Sequence, residues 1–259
     1  MTDVKNELNN EAEIKQRLHE LALAKKTAAA KSSRVQIKAM AEVHELSTDE
    51  LDSLKILHAG MQNRQVLNAF RELRVKLLQK SKGENFICLV SSLCERGGGG
   101  SYVATNLAAA FALDKTKTSV LVDCDLYAPS IDTMLNIDAS HGITDYLDDD
   151  ELDVQDIIYA SGVPRMRVVP IGSNRERGAE HFSSERMSEF IAAMKARYSD
   201  RFIVIDAPPI LNSAETRILA DLCDMAVLVL PYGKTTMEQV QAGVDVVDKS
   251  KLAGIVFNN

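Results

Sequence analysis

The stretch Ser91–Ala108, SSLCERGGGGSYVATNLA, carries the deciding pattern. It leaves an apolar run, FICLVSS (Phe86–Ser92), passes through Gly97, Gly98, Gly99 and Gly100, and enters an Ala-rich segment opened by Ser101. A strand that runs through glycines into a helix has two physical consequences. Glycine lets successive backbone N–H groups turn toward one point, and the helix N-terminus adds positive potential there. That geometry cradles phosphate. The competing reading is a flexible turn in which Ser101 is an ordinary N-cap.

Outward from this loop the texture is regular. SVLVDCD (Ser119–Asp125), MRVVPIG (Met166–Gly172), RFIVIDA (Arg201–Ala207), MAVLVLP (Met225–Pro231) and LAGIVFN (Leu252–Asn258) are short and continuously apolar. Such runs fit strands covered on both faces. Helical patterns lie between them, over Ser101–Leu113, Ser184–Arg197, Ala214–Leu222 and Thr236–Val247. Alternating strands and helices predict an α/β fold with a parallel sheet flanked by helices. Ahead of the first strand, Ser47-Thr48-Asp49-Glu50 has capping-box spacing, and Arg64–Leu78 places Val66, Phe70, Leu73 and Leu77 on one helical face. Met187 and Met194 sit at helical spacing and read as core.

In such sheets ligands bind beyond the carboxyl ends of the strands. Two further strand ends carry acids. LVDCDLYAPS (Leu121–Ser130) sets Asp123 and Asp125 two residues apart, able to hold a magnesium shell or orient water, or to serve as turn and capping aspartates. VIDAPP (Val204–Pro209) ends a strongly apolar strand in Asp206, a place where a carboxylate meets Mg²⁺ through water. The three ends together point to a nucleotide-type site. By contrast, Asp148-Asp149-Asp150-Glu151 reads as a solvated loop tip, and His181 as a capping or surface residue.

The chain has 259 residues, 46% of them hydrophobic and 26% charged, which suits one large globular domain with an appendage. A net charge of -7 argues against nucleic acid as a partner. No apolar run approaches the roughly 20 residues that cross a bilayer, and the polar opening MTDVKNELNNEAEIKQ is not a secretory signal. The four cysteines, Cys88, Cys94, Cys124 and Cys223, form no C-x-x-C pair, which fits a reducing cytoplasm. Residues 1–45 lack Pro and Gly, with Ile14, Leu18, Leu21 and Leu23 as a partial apolar stripe, and read as a helical or mobile arm before a domain over 46–259.

Five segments, LNAFRELRVKLL (Leu67–Leu78), SYVATNLA (Ser101–Ala108), LVDCDLYAPS, IDAPPIL (Ile205–Leu211) and GIVFNN (Gly254–Asn259), occur in the order found in one family. Over about four fifths of its length, the chain resembles the cytoplasmic P-loop domain of bacterial tyrosine kinases of capsule and exopolysaccharide biosynthesis. Those kinases lie within the group of partitioning and cell-division ATPases that have a deviant Walker A loop. The resemblance implies ATP or ADP and Mg²⁺ as cofactors. Gly97, Gly98, Gly99, Gly100 and Ser101 would face the phosphates, and Asn258 the adenine edge. Ser101, Asp123 and Asp206 would serve the metal, with Asp123, Asp125 and Asp206 as the catalytic acids. Arg71 and Arg74 match part of a Glu-x-x-Arg-x-x-Arg motif that joins subunits into a ring. The implied partner is a membrane chain-length-determinant protein, which would bring a cytoplasmic chain to the membrane.

The departures from the family bear on activity. Gly100 stands where the P-loop lysine is expected, Tyr127 replaces an arginine, and Asn68 stands where the ring motif has Glu. The six tyrosines are scattered, without the cluster that serves the family as a phosphorylation tail. The expectation is a kinase-like regulator that works by binding partners. The alternatives are an active ATP-dependent tyrosine kinase, with Arg96 or a neighbouring subunit supplying the cation, and a positioning ATPase, which the acidic charge disfavours.

Overall fold

The computed structural model describes residue 17 and residues 45–93, 97–197 and 201–259. The chain divides between residues 40 and 41. The arm expected over residues 1–45 falls, apart from positions 17 and 45, outside the described residues, as do Cys94 and Arg96.

Residues 41–259 are organised by a seven-stranded sheet with the order β3-β4-β2-β5-β1-β6-β7. Its strands are β1 (Ile87–Ser92), β2 (Thr118–Asp123), β3 (Tyr159–Ala160), β4 (Met166–Val169), β5 (Arg201–Ala207), β6 (Met225–Pro231) and β7 (Leu252–Asn258). All pairs are parallel except β3 with β4. Every residue of β1, β2, β5 and β6 is buried, which is why these runs are apolar without alternation. Two-residue β3 is too short to leave a sequence signal.

Alternate strand residues feed two cores. On one face, Leu67, Phe70 and Leu77 of α2 (Arg64–Lys80) and Leu107 and Phe111 of α3 (Gly100–Ala112) meet Cys88, Val90, Leu121 and Val204. Here Phe111 stacks on Phe202 with ring centroids 4.3 Å apart, and Phe86 packs at 5.1 Å from Phe202. Ahead of α2, α1 (Thr48–Ser53) has the expected capping box, with Ser47 N–H on Glu50 at 2.8 Å. The other face is covered by α5 (Ile143–Asp148), α6 (Gly178–Phe182), α7 (Glu185–Arg197) and α8 (Ala214–Leu222), with α9 (Met237–Val246) beside them. Met187 and Met194 are buried there, as their spacing indicated. A one-turn helix, α4 (Ile131–Met134), follows the acidic loop after β2.

Three boundaries differ from the sequence reading. α3 begins at Gly100, with Gly99 as its N-cap at φ 90°, so Ser101 is already helical and is not the cap. β2 ends at Asp123 because the Asp125 N–H turns back onto the Asp123 carboxylate at 3.0 Å. β4 stops at Val169, before a proline that has no N–H to give a ladder.

His181 and the acidic run also differ. His181 is buried, and its Nε2 lies 2.8 Å from Asp148 Oδ1. Asn174 donates to the other Asp148 oxygen. Asp150 pairs with Arg186 at 3.5 Å, and that arginine also donates to three backbone carbonyls across residues 146–152. The acidic turn is thus fastened to α6 and α7. Charge alone in the sequence could not show that its partners lie about thirty residues downstream.

Candidate functional site

The carboxyl ends of β1, β2 and β5 converge, and the expected site residues gather there. Gly97–Ser101, Asp125, Ala128, Ser130 and Pro209 line one cleft of about 290 Å³. Parallel pairing puts Asp123 of β2 directly beside Asp206 of β5. Both carboxylates are 1% exposed. Below them, the Ser91 hydroxyl donates to the Pro208 carbonyl at 2.6 Å and pins the loop after β5 to β1.

The three acids sit in different surroundings. Asp123 accepts N–H groups from Asp125 (3.0 Å), Ser130 (3.2 Å) and Ile131 (3.3 Å), so it organises the loop that follows it. Burial pushes its carboxyl up to about 6 against the pull of those bonds. Asp125 accepts from the N–H groups of Tyr127 and Ala128, both at 3.0 Å, as a turn aspartate does, and it also lines the cleft. Burial raises Asp206 well above the carboxylate range, and the neighbouring Asp123 adds to this; only the Ser101 hydroxyl opposes it. One Asp206 oxygen, Oδ2, is buried with no hydrogen-bond partner.

That unpaired oxygen, a second buried carboxylate and a serine hydroxyl make a hard oxygen donor set, which suits Mg²⁺. Among the described residues no three His, Cys, Asp or Glu side chains close around one point. A magnesium ion would therefore share its shell with phosphate oxygens or water, as this ion commonly does. The glycine turn also fits a phosphate. Gly97 and Gly99 have φ of 75° and 90°, and α3 behind them is thirteen residues long. No lysine, arginine or histidine is among the described residues lining the cleft.

The remaining expected residues lie around this centre. Asn258, at the end of β7, donates from Nδ2 to the Gly98 carbonyl at 3.4 Å and so supports the glycine turn from outside. Arg71 is exposed on α2. Arg74 donates to the Ala110 carbonyl at 3.1 Å, near the negative end of α3.

Two features of the site escaped sequence reading. Asn106, in the helix after the glycines, is buried; it accepts the Leu57 N–H at 2.8 Å and donates to the carbonyls of Lys55 (3.1 Å) and Tyr102 (3.0 Å). An asparagine in the middle of an otherwise apolar helix was the available signal. The second is Tyr127, whose hydroxyl donates to Glu215 at 2.8 Å across eighty-eight positions of sequence. No local pattern announces that bond.

The fold is of the P-loop NTPase type, and comparison with known proteins agrees. No family model matches the chain. It is 33% identical over 172 residues to tyrosine-protein kinase YwqD of Bacillus subtilis (strain 168), covering 66% of this chain and 70% of that protein. It is 31% identical over 192 residues to tyrosine-protein kinase CpsD of Streptococcus agalactiae, covering 73% of this chain and 81% of the relative. The kinase domain of Escherichia coli tyrosine kinase ETK superposes with a TM-score of 0.68 at 19% identity, over 87% of this chain and 92% of that one. The cell-division ATPase MinD of Pyrococcus furiosus shares the fold at a TM-score of 0.54 and 24% identity, over 66% and 70%. This chain belongs to the bacterial tyrosine-protein kinase family.

Proposed function

We propose that the protein is a kinase-like regulator of capsule or exopolysaccharide biosynthesis that binds partners and does not transfer phosphate efficiently. The observation that carries this reading is a phosphate cleft whose described lining has glycines, hydroxyls and a carboxylate but no cation. Gly100 occupies the position of the family's lysine. A unit charge 4 Å from a phosphate is worth about 4 kcal/mol at an effective dielectric near 20. Withheld from the transition state, that slows transfer on the order of a thousandfold.

When bound, Mg-nucleotide supplies the transferable phosphoryl group. The chain's own part is to bind and orient it. The N–H groups of Gly97–Ser101 would hold the phosphates, and Ser101, Asp123 and Asp206 would hold the metal. Asn258 would reach the adenine edge while keeping the glycine turn in place. Such a site retains nucleotide weakly, as a conformational ligand.

Several further points belong to the same reading. Among the described residues no helix is long and apolar enough to cross a membrane. A cytoplasmic chain would act through a membrane co-polymerase that sets polysaccharide length, the partner that the family likeness suggests. Arg71, exposed on α2, is the side chain of the ring motif available for contact between subunits. The net charge of -7 disfavours nucleic acid as a partner.

Calorimetric titration with Mg-ATP and Mg-ADP, run on the wild type and on Gly100→Lys, tests the proposal. A Cβ at position 100 would lie 3.2 Å from the Ser92 nitrogen, so the variant needs a shift of only a few tenths of an ångström. The expected result is weak binding by the wild type and at least tenfold tighter binding by the variant, since one charge contact exceeds the ~1.4 kcal/mol that a factor of ten requires. Tight wild-type binding, with tyrosine phosphorylation that is lost in Asp206→Ala, would overturn it.

A further inference from the structure

Two loops enclose the cleft: the acidic loop after β2, residues 123–130, and the double-proline loop after β5, residues 207–213. Each is well organised within itself. Asp123 and Asp125 between them accept five backbone N–H groups of the acidic loop and the helix start behind it. Across the cleft, Ser213 caps α8 by accepting the Thr216 N–H at 3.1 Å, and the Thr216 hydroxyl donates to the Pro208 carbonyl at 2.9 Å.

Tyr127 links the two. Its backbone N–H is held by Asp125, and its hydroxyl crosses to Glu215 Oε1 at 2.8 Å in the first turn of α8. The other Glu215 oxygen accepts the Ser213 hydroxyl at 2.7 Å. Burial pushes the Glu215 carboxyl up, but its own N–H, Ser213 and Tyr127 outweigh that and hold it below its ordinary range. A chain of hydrogen-bonded residues thus runs from Asp125 through Tyr127, Glu215, Ser213 and Thr216, whose hydroxyl reaches the Pro208 carbonyl, two residues beyond Asp206. Tyr127 is 53% exposed, so its ring is not a core element, and the link is made by the hydroxyl.

We propose that Tyr127 is a positioning residue: its hydroxyl, bonded to Glu215, straps the acidic loop to the double-proline loop and fixes the spacing of the Asp125 and Asp206 sides of the cleft. The proposal rests on the reading of this cleft as a nucleotide site only for its effect on binding; the strap itself is a property of the free protein. It gives a role to the departure at position 127, where this chain has a neutral donor in place of the family's cation.

The test compares wild type, Tyr127→Phe and Glu215→Gln. Phenylalanine keeps the ring and removes only the hydroxyl, and glutamine keeps an oxygen that accepts. In the free protein, amide hydrogen exchange at Tyr127, Ala128, Ser130 and Ile131 is expected to rise about fivefold in Tyr127→Phe, the size of one net hydrogen bond. Exchange at Val120–Val122 in β2 rises less than in the loop, and the melting temperature falls by no more than the roughly 2–4 °C that ~1 kcal/mol makes in a domain of this size. Glu215→Gln, which keeps one accepting oxygen where two hydroxyls donate, lies between the wild type and Tyr127→Phe. Unchanged loop exchange in Tyr127→Phe overturns the proposal, and so does an increase spread evenly through the sheet, which would mark a merely structural residue. Titration with Mg-ADP then reads the consequence: wherever the wild type binds, Tyr127→Phe binds about fivefold more weakly. If the wild type takes no nucleotide, the nucleotide reading fails while the exchange result still decides the strap.

Discussion

Gly99 shows how much of the site depends on one missing methyl group. Its φ of 90° lies where a Cβ is strained, and an added Cβ would sit 2.1 Å from Asn258 Nδ2. Gly97 has a similar φ of 75°, but nothing lies within 4 Å of its absent Cβ. The two positions separate backbone strain from crowding. Gly97→Ala should cost about 1 kcal/mol, and Gly99→Ala roughly 2–3 kcal/mol, because it also displaces Asn258 from the Gly98 carbonyl. Urea unfolding of the two variants measures the difference, and equal losses would show that Asn258 yields freely. The run of four glycines is plain in the sequence. Which glycine is indispensable depends on what β7 brings against the loop, and β7 lies far along the chain.

At the scale of the element, α3 decides the geometry of the cleft. From Val103 to Ala112 every one of its residues is buried, and its small side chains let it lie close on the sheet. A helix so enclosed cannot tilt, so its N-terminus holds a fixed place at the end of β1. Thr105 and Asn106 are the polar exceptions, and Asn106 ties α3 to the segment before α2 through backbone groups of residues 55 and 57. Asn106→Ala leaves a buried N–H and a carbonyl without their partner and should cost about 2–4 kcal/mol. Equilibrium denaturation checks this, and a loss below ~1 kcal/mol would mean that water replaces the amide. Placement of the helices and strands read from the sequence was legible to within three residues, since burial writes itself into apolar runs. The start of α3 was not, because a serine after glycines looks like a cap whichever residue is left-handed.

The whole molecule feels the paired acids at the sheet's end through its pH dependence. In the fold, burial holds Asp123 and Asp206 above the ordinary carboxylate range. A raised folded-state pKa means that the unfolded chain gives up these protons first as pH rises, so rising pH favours unfolding. Their contribution to stability is therefore most favourable below the ordinary carboxylate pKa. It falls as pH climbs to about 6 for Asp123, and the Asp206 contribution changes in the same direction. Asp206→Asn should flatten this slope and be more stable than the wild type at pH 8, with little gain at pH 4. Denaturation curves at the two pH values test the sign; a wild type that gains stability from pH 4 to 8 with the same slope as the variant would refute it.

The sequence by itself determined the sheet, because strands covered on both faces must be continuously apolar. It also placed the glycine turn and the three aspartates at strand ends, because parallel strands alternating with helices deliver their loops to one edge. Only the tertiary structure decided which aspartates face each other, since Asp123 and Asp206 meet through strand register across eighty-three positions of chain. In the same way it decided that His181 is buried against Asp148, that Asn106 is a tie, and that Tyr127 reaches Glu215. Each of those is a hydrogen bond between residues distant in the chain. The hydrophobic effect leaves a local periodicity that can be read along the sequence, whereas such a bond depends on direction and on a partner that folding alone brings near.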